Sequence, residues 1–142
     1  MGILISRSAA ETERLGEEFG RRARAGTVYG LTGDLGTGKT RWVRGFARAL
    51  GIPGRIQSPS FGLVHEYRQG RLPLAHLDLY RLESTEQILG AGLDEYLSPG
   101  DGVSIVEWFE RWNGSRPTDL IRVRFTSLGG DERHIEHDDP HS

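Results

Sequence analysis

The stretch Gly33-Asp34-Leu35-Gly36-Thr37-Gly38-Lys39-Thr40 constrains this chain more than any other. It has the spacing G-x-x-x-x-G-K-[ST], and it lies between a buried β-like run, Thr27 to Thr32, and a helical run that begins near Lys39. The glycines let the backbone curl so that successive N–H groups point into one concavity, and the positive end of the helix beneath adds to the attraction for phosphate. Lys39 is a flexible point charge able to reach β- and γ-phosphates, and the Thr40 hydroxyl can ligate Mg²⁺. The competing interpretation is a glycine-rich turn with a helix-capping threonine. The flanking strand and helix favour the phosphate loop.

Composition narrows the ligand. Of 18 basic residues 17 are arginine, and Lys39 is the only lysine in the chain. A bulky, planar guanidinium fits a tight phosphate nest poorly, which is consistent with lysine being kept here. Guanine-specific proteins with such loops read their base through Asn-Lys-x-Asp, and no second lysine exists to build one. ATP or ADP is therefore expected over the guanine nucleotides.

At 142 residues the chain fits one α/β domain with a central mixed β-sheet flanked by helices, and leaves no room for a separate substrate domain. Domain limits of 1–136 are expected, with 137–142 as a disordered acidic tail. Formal net charge is -2, so the strongly basic footprint of a nucleic-acid binder is missing and no DNA contact is expected. Cysteine is absent, which excludes disulfides and thiolate metal sites. No apolar run approaches the roughly 18 residues needed to span a membrane. A cytoplasmic protein without membrane contact is expected.

Capping-box spacings at Ser8 to Glu11 and Ser84 to Gln87 predict helix starts. The first helix is expected to run to about Arg24 with Thr12, Leu15, Phe19 and Ala23 buried; the helix after the loop should bury Val43, Phe46, Ala47 and Leu50. Strands are predicted at Ile3–Ser6, Thr27–Thr32, Phe61–Tyr67, Leu72–Tyr80, Val103–Val106, Leu120–Phe125 and His134–Glu136, the third and fourth forming a hairpin. Arg41, Arg44 and Arg48 mark the polar side of the helix after the loop and read as a solvated face. The five histidines show no metal-ligand spacing and read as structural or solvated. The tryptophans read as core or rim packing.

A phosphate loop needs an acid at the end of a neighbouring strand to position Mg²⁺, and often a second group to orient water. Asp78, after Leu74-Ala75-His76-Leu77, and Glu107, after Val103 to Val106, are the two acids at the ends of buried β runs. Either could instead cap its strand or pair with an arginine.

Beyond the loop, several blocks resemble one family: Thr12 with Leu15-Gly16, Ser58-Pro59-Ser60-Phe61, His76-Leu77-Asp78-Leu79-Tyr80-Arg81-Leu82, Gly92-Leu93-Asp94-Glu95-Tyr96 and Glu107-Trp108. The His-x-Asp-Leu-Tyr-Arg and Glu-Trp blocks are far more specific than the loop itself. They are similar to those of the TsaE (YjeE) family of bacterial ATPases, which support threonylcarbamoyladenosine formation on tRNA. The resemblance implies a P-loop NTPase fold, with Thr40 and Glu107 as Mg²⁺ ligands, Asp78 as the water-activating or switch acid, and Lys39 on the phosphates. It implies nucleotide contacts from Thr12, Gly33, Asp34, Leu35, Gly36, Thr37, Gly38, Lys39 and Thr40, and a switch-like segment at Ser58 to Phe61. Arg133 aligns with a late arginine near the nucleotide. The implied partners are TsaD and TsaB, with tRNA met indirectly through that complex.

The chain departs from the family pattern at three positions. Arg41 stands where a hydroxyl usually meets the α-phosphate and is carried over as a binding position. Ser60 replaces threonine, and Phe109 replaces the proline of a Glu-Trp-Pro-Glu block, leaving Glu107 and Glu110 in place. The expected activity is an Mg²⁺-dependent ATPase, slow alone and dependent on its partner. A small-molecule kinase and a nucleotide-sensing scaffold without hydrolysis are the alternatives.

Overall fold

The computed structural model describes residues 2–33, 38–53, 56 and 63–140. These form a seven-stranded sheet in the order β1-β7-β6-β2-β5-β4-β3. The strands are β1 (Gly2–Ser6), β2 (Val28–Thr32), β3 (Val64–Tyr67), β4 (Leu74–Asp78), β5 (Val103–Glu107), β6 (Leu120–Gly129) and β7 (Glu132–His137). The central four, β6-β2-β5-β4, are parallel; the β3–β4 hairpin and the β6–β7–β1 meander add antiparallel strands at the two edges. The sheet is therefore mixed, as the sequence predicts.

Helices α1 (Ala9–Arg22) and α2 (Lys39–Ala49) cover one face. Their apolar stripes meet Tyr29, Leu31, Ile105, Val123 and Phe125 in one core. A short helix α3 (Thr85–Gly90) and a 3-10 turn at Leu93–Leu97 cover the opposite face over Val28, Leu77 and Val106. Trp42 anchors the first core. Its ring lies 5.3 Å from Phe19 and 5.4 Å from Phe46, distances at which offset aromatic pairs attract.

Local chemistry explains the element ends. Ser8 Oγ accepts from the Glu11 amide at 3.1 Å, while Glu11 reaches back to the Arg7 amide at 3.3 Å. Such caps stabilise a helix by about 1 kcal/mol. Helix α1 ends at Arg22, two residues before the predicted Arg24, because Ala23 turns extended and the Arg71 guanidinium donates to the carbonyls of Gly20 and Ala23. Strand β6 runs past Phe125 to Gly129, since its hairpin partner β7 continues the ladder.

The expected disordered tail at 137–142 is corrected over its first part. His137 closes β7, and Asp139 is buried and paired with Arg22 at 3.2 Å. Arg41 and Arg48 of α2 lie on a solvated face, as expected, and make ion pairs across it. Arg41 pairs with Glu13, and Arg48 pairs with Glu13 and Glu17, which ties α2 to α1.

Glycine sets how closely those two helices approach. A Cβ at Gly45 would overlap the Glu13 carbonyl oxygen, and one at Gly16 would overlap the Trp42 carbonyl oxygen. Both obstacles are helix backbone and cannot rotate aside. Alanine at position 45 would gain about 1 kcal/mol of helix propensity. Overpacking costs roughly 1–3 kcal/mol, and contact with backbone lies at the upper end of that range. Gly45→Ala is therefore expected to destabilise the fold by about 2 kcal/mol, the difference between those two effects. Urea unfolding should show a lower midpoint with an unchanged slope.

Candidate functional site

Parallel pairing brings the predicted acids together. Asp78 is in register with Glu107 across β4 and β5, and Glu107 is in register with Leu31 across β5 and β2. Two residues after Leu31 the chain reaches Gly33. The ends of three adjacent parallel strands thus carry the loop's first glycine and both acids, at the carboxyl ends where ligands of open α/β sheets collect. Side chains alternate along a strand, so Asp78 shares its face of β4 with His76 and Leu74, and Glu107 shares its face of β5 with Ile105 and Val103. Leu74, Ile105 and Val103 belong to the core under α1 and α2, which puts both acids on the face that carries the loop helix.

The loop enters and leaves through glycines that need to be glycine. Gly33 has φ 129°, and a Cβ there would overlap the Phe125 carbonyl oxygen of β6. Gly38 has φ 94° and is the N-cap of α2. Asp34 to Thr37 lie outside the described residues, as does the Ser58–Phe61 segment.

Lys39 is buried at the first turn of α2, where its ammonium donates to the Gly33 carbonyl at 2.5 Å. It also sits 4.4 Å from the centroid of the Trp108 ring, close enough for a cation–π attraction. The lysine therefore spans the loop from its far end back to its start. Trp108 follows Glu107 in a left-handed conformation, φ 58°, and this turns the chain sharply off the end of β5. Its ring packs 5.0 Å from Tyr80, which follows Asp78 by two residues. Phe109 lies next, and its ring is packed so closely on Gly30 of β2 that a Cβ there would meet it at 2.7 Å. The aromatic that replaces the family's proline thus pins the turn to the central strand.

Glu107 is 4% exposed, and its Oε2 lies 2.5 Å from His76 Nε2. The histidine itself is fully buried. It is a structural histidine, as the sequence reading expects, and its partner is one of the two predicted acids. Its place two residues before Asp78 puts both on one face of β4, but the bond to Glu107 runs diagonally to the next strand and has no signal in the sequence.

Asp78 is half-buried and accepts from the Tyr80 amide through Oδ1 at 2.9 Å. Burial raises its pKa above the ordinary 3.8; the Tyr80 bond opposes that shift, and nearby Glu107 adds to it. Thr12 is buried, with Oγ1 2.6 Å from Ser6 Oγ, and so links β1 to α1. A Cβ on Gly38 would lie 3.4 Å from Thr12 and 3.8 Å from Arg133, so both predicted residues flank the end of the loop. The Arg133 guanidinium donates to Gly130 and Glu132 carbonyls of its own hairpin. Arg41 is half exposed and turned towards Glu13 of α1, 3.7 Å away.

Among the described residues no three His, Cys, Asp or Glu side chains cluster as a metal cage. The two oxygen donors the sequence suggests for a metal, the hydroxyl of Thr40 in the first turn of α2 and the buried carboxylate of Glu107, are too few for a dedicated protein cage. That suits Mg²⁺ carried on a nucleotide, which needs only one or two protein oxygens because phosphates and water supply the rest.

A family model described as threonylcarbamoyl adenosine biosynthesis protein TsaE matches residues 6–135. The chain belongs to the TsaE family. It is 41% identical over 125 residues to the tRNA threonylcarbamoyladenosine biosynthesis protein TsaE of Bacillus subtilis, covering 88% of this chain and 77% of that protein. It is 40% identical over 131 residues to the TsaE of Treponema pallidum, covering 92% of this chain and 96% of that one. The crystal structure of Bacillus subtilis YdiB superposes with a TM-score of 0.78 at 36% identity, covering 94% of this chain and 82% of that chain. The fold is thus the P-loop NTPase fold of a TsaE protein.

The raised pKa of Asp78 means that the folded protein holds the Asp78 proton more tightly than the unfolded chain does. Stability is therefore lost as pH rises from the ordinary value of 3.8 through the folded value, because ionising a partly buried carboxyl costs free energy. Asn keeps an acceptor for the Tyr80 amide and never ionises. Asp78→Asn is expected to melt at a higher temperature than the parent at pH 7, with the gap closing as pH falls towards 4. A melting series across pH measures it, and a gap of constant size would contradict it.

Proposed function

We propose that this TsaE-family chain binds ATP with Mg²⁺ and hydrolyses it as an accessory step in forming threonylcarbamoyladenosine on tRNA. The observation that carries the reading is the alignment of Asp78 and Glu107 on adjacent strand ends beside the loop that Lys39 closes. In that arrangement Gly33, Asp34, Leu35, Gly36, Thr37 and Gly38 supply backbone amides to the phosphates. Lys39 exchanges the Gly33 carbonyl for phosphate oxygens, and its charge offsets the charge that builds on the γ-phosphoryl group. Thr40 and Glu107 would hold the metal, which would supply positive charge against the phosphates. Asp78, the less buried acid, orients the attacking water, and a carboxyl whose pKa is raised is better matched to accepting a proton near neutrality. Thr12 and Arg133 border the nucleotide at the Gly38 end, and Arg41 takes the position next to Thr40.

Every arginine of α2 already has a partner within the chain: Arg41 pairs with Glu13, Arg48 with Glu13 and Glu17, and Arg44 donates to the Ile56 carbonyl. That supports slow turnover by the chain alone. The partner assigned by the family reading is a TsaB–TsaD complex, with tRNA reached through it.

Two variants and one partner test the proposal. Lys39→Ala is expected to lose nucleotide binding. Asp78→Ala is expected to keep it while phosphate release from ATP falls by roughly 10²–10⁴-fold, the usual worth of a positioned acid–base group. Turnover should rise when TsaB and TsaD are added. Equal rates with and without them would remove the coupling, unimpaired hydrolysis by Asp78→Ala would leave a site of different chemistry, and a phosphorylated acceptor in place of free phosphate would make the chain a kinase.

A further inference from the structure

His76 takes no part in the chemistry just described, and it is placed too deep to touch a nucleotide. Its side chain is 0% exposed, it lies on the inner strand β4, and the residue opposite it on β5 is Ile105, not Glu107. To meet Glu107 the imidazole reaches diagonally along the sheet by two residues, where Nε2 stands 2.5 Å from Oε2. Its other nitrogen, Nδ1, is buried without a hydrogen-bond partner. The ring's polar contact is thus spent on the carboxylate alone.

Physical chemistry makes this arrangement directional. An ionised carboxylate as buried as Glu107 needs a donor to stay in place. An imidazole with one bonded nitrogen and an ionised acceptor beside it carries its proton on that nitrogen, so Nε2–H donates to Oε2. One carboxylate oxygen is then committed to the interior. Oε1 is left as the oxygen that no described side chain claims. A flexible glutamate at the end of a strand becomes a carboxylate with one fixed face.

We propose that His76 is a positioning residue, which holds Glu107 so that Oε1 is presented to a divalent cation carried on the nucleotide. The inference rests on the metal role given to Glu107 above. Groups that orient a ligating side chain change metal affinity by about 10–100-fold when removed.

The test compares His76→Leu, which fills similar space without a donor, with His76→Gln, whose amide reaches about as far as Nε2. Affinity for ADP is measured in EDTA, and affinity of the ADP complex for Mn²⁺ is read from the electron paramagnetic resonance of free Mn²⁺. The expected result for His76→Leu is ADP affinity within about twofold of the parent and Mn²⁺ affinity lowered by about 10–100-fold. His76→Gln should recover most of the loss. Should the Leu variant fail to fold, His76→Asn replaces it, since its amide stops short of Glu107.

Parent-like Mn²⁺ affinity in the donor-less variant overturns the proposal, and so does a Gln variant no better than Leu or Asn. Glu107→Gln separates the two levels. If it weakens Mn²⁺ while loss of the His76 donor does not, only the positioning role fails. If it leaves Mn²⁺ binding intact, the metal role of Glu107 fails and the proposal with it.

Discussion

The in-register parallel pairing of β2, β5 and β4 is the constraint on which the rest depends. A shift of one residue along β5 would turn Glu107 to the opposite face and put Val106 beside Asp78, because side chains alternate along a strand. The register is held by apolar burial on both faces of β5. Val103 and Ile105 are enclosed under α1 and α2, and Val106 is enclosed under α3 and the 3-10 turn. Ser104, which sits among them, satisfies its hydroxyl on the Tyr96 carbonyl at 2.6 Å. The position of the acids is therefore a consequence of two hydrophobic cores that pack the residues just before them against helices from distant parts of the chain.

The loop depends on the same sheet through a second route. Its start is pressed against β6 at Gly33, and its end is carried by α2, whose distance from the sheet is set by Trp42 and Phe46 and whose distance from α1 is set by Gly16 and Gly45. Small residues at the helix contact and large ones at the sheet contact fix the helix in two directions. A phosphate site built from backbone amides needs that rigidity, since a displacement of the helix start moves every donor at once.

The central elements were legible in the sequence because each depends on local pattern: β2, the glycines at either end of the loop, α2, the strand-end acids and the hairpin of β3 with β4. What was hidden depends on contacts between distant segments. Arg71 ending α1 comes from residues far along the chain, and so does the pairing of Asp139 with Arg22 that orders the first part of the expected tail. His76 is the instructive case. No spacing within β4 or β5 reveals a bond that runs diagonally between them, and the burial of a histidine is ordinary until its partner is known to be the site's own carboxylate. Arg41 marks the opposite limit, because its departure from the family pattern was visible while its pairing with Glu13 was not.

Several features of the site carry a cost in the folded protein, and they share one location. Trp108 holds a left-handed backbone that an ordinary residue adopts at about 1–3 kcal/mol. Asp78 is ionised only against partial burial, and Glu107 is buried with one histidine beside its carboxyl group. Lys39 is buried as well, with a carbonyl and an aromatic face around its ammonium. The Gly33 carbonyl offers the Lys39 ammonium only a dipole where a phosphate oxygen would offer a full negative charge, and a divalent cation would offer the acids the opposite charge. A ligand carrying anionic oxygens and a divalent cation would relieve the lysine and the two acids together. Concentrated local cost inside two well-packed cores is the pattern expected where a fold is shaped by binding and not by its own stability.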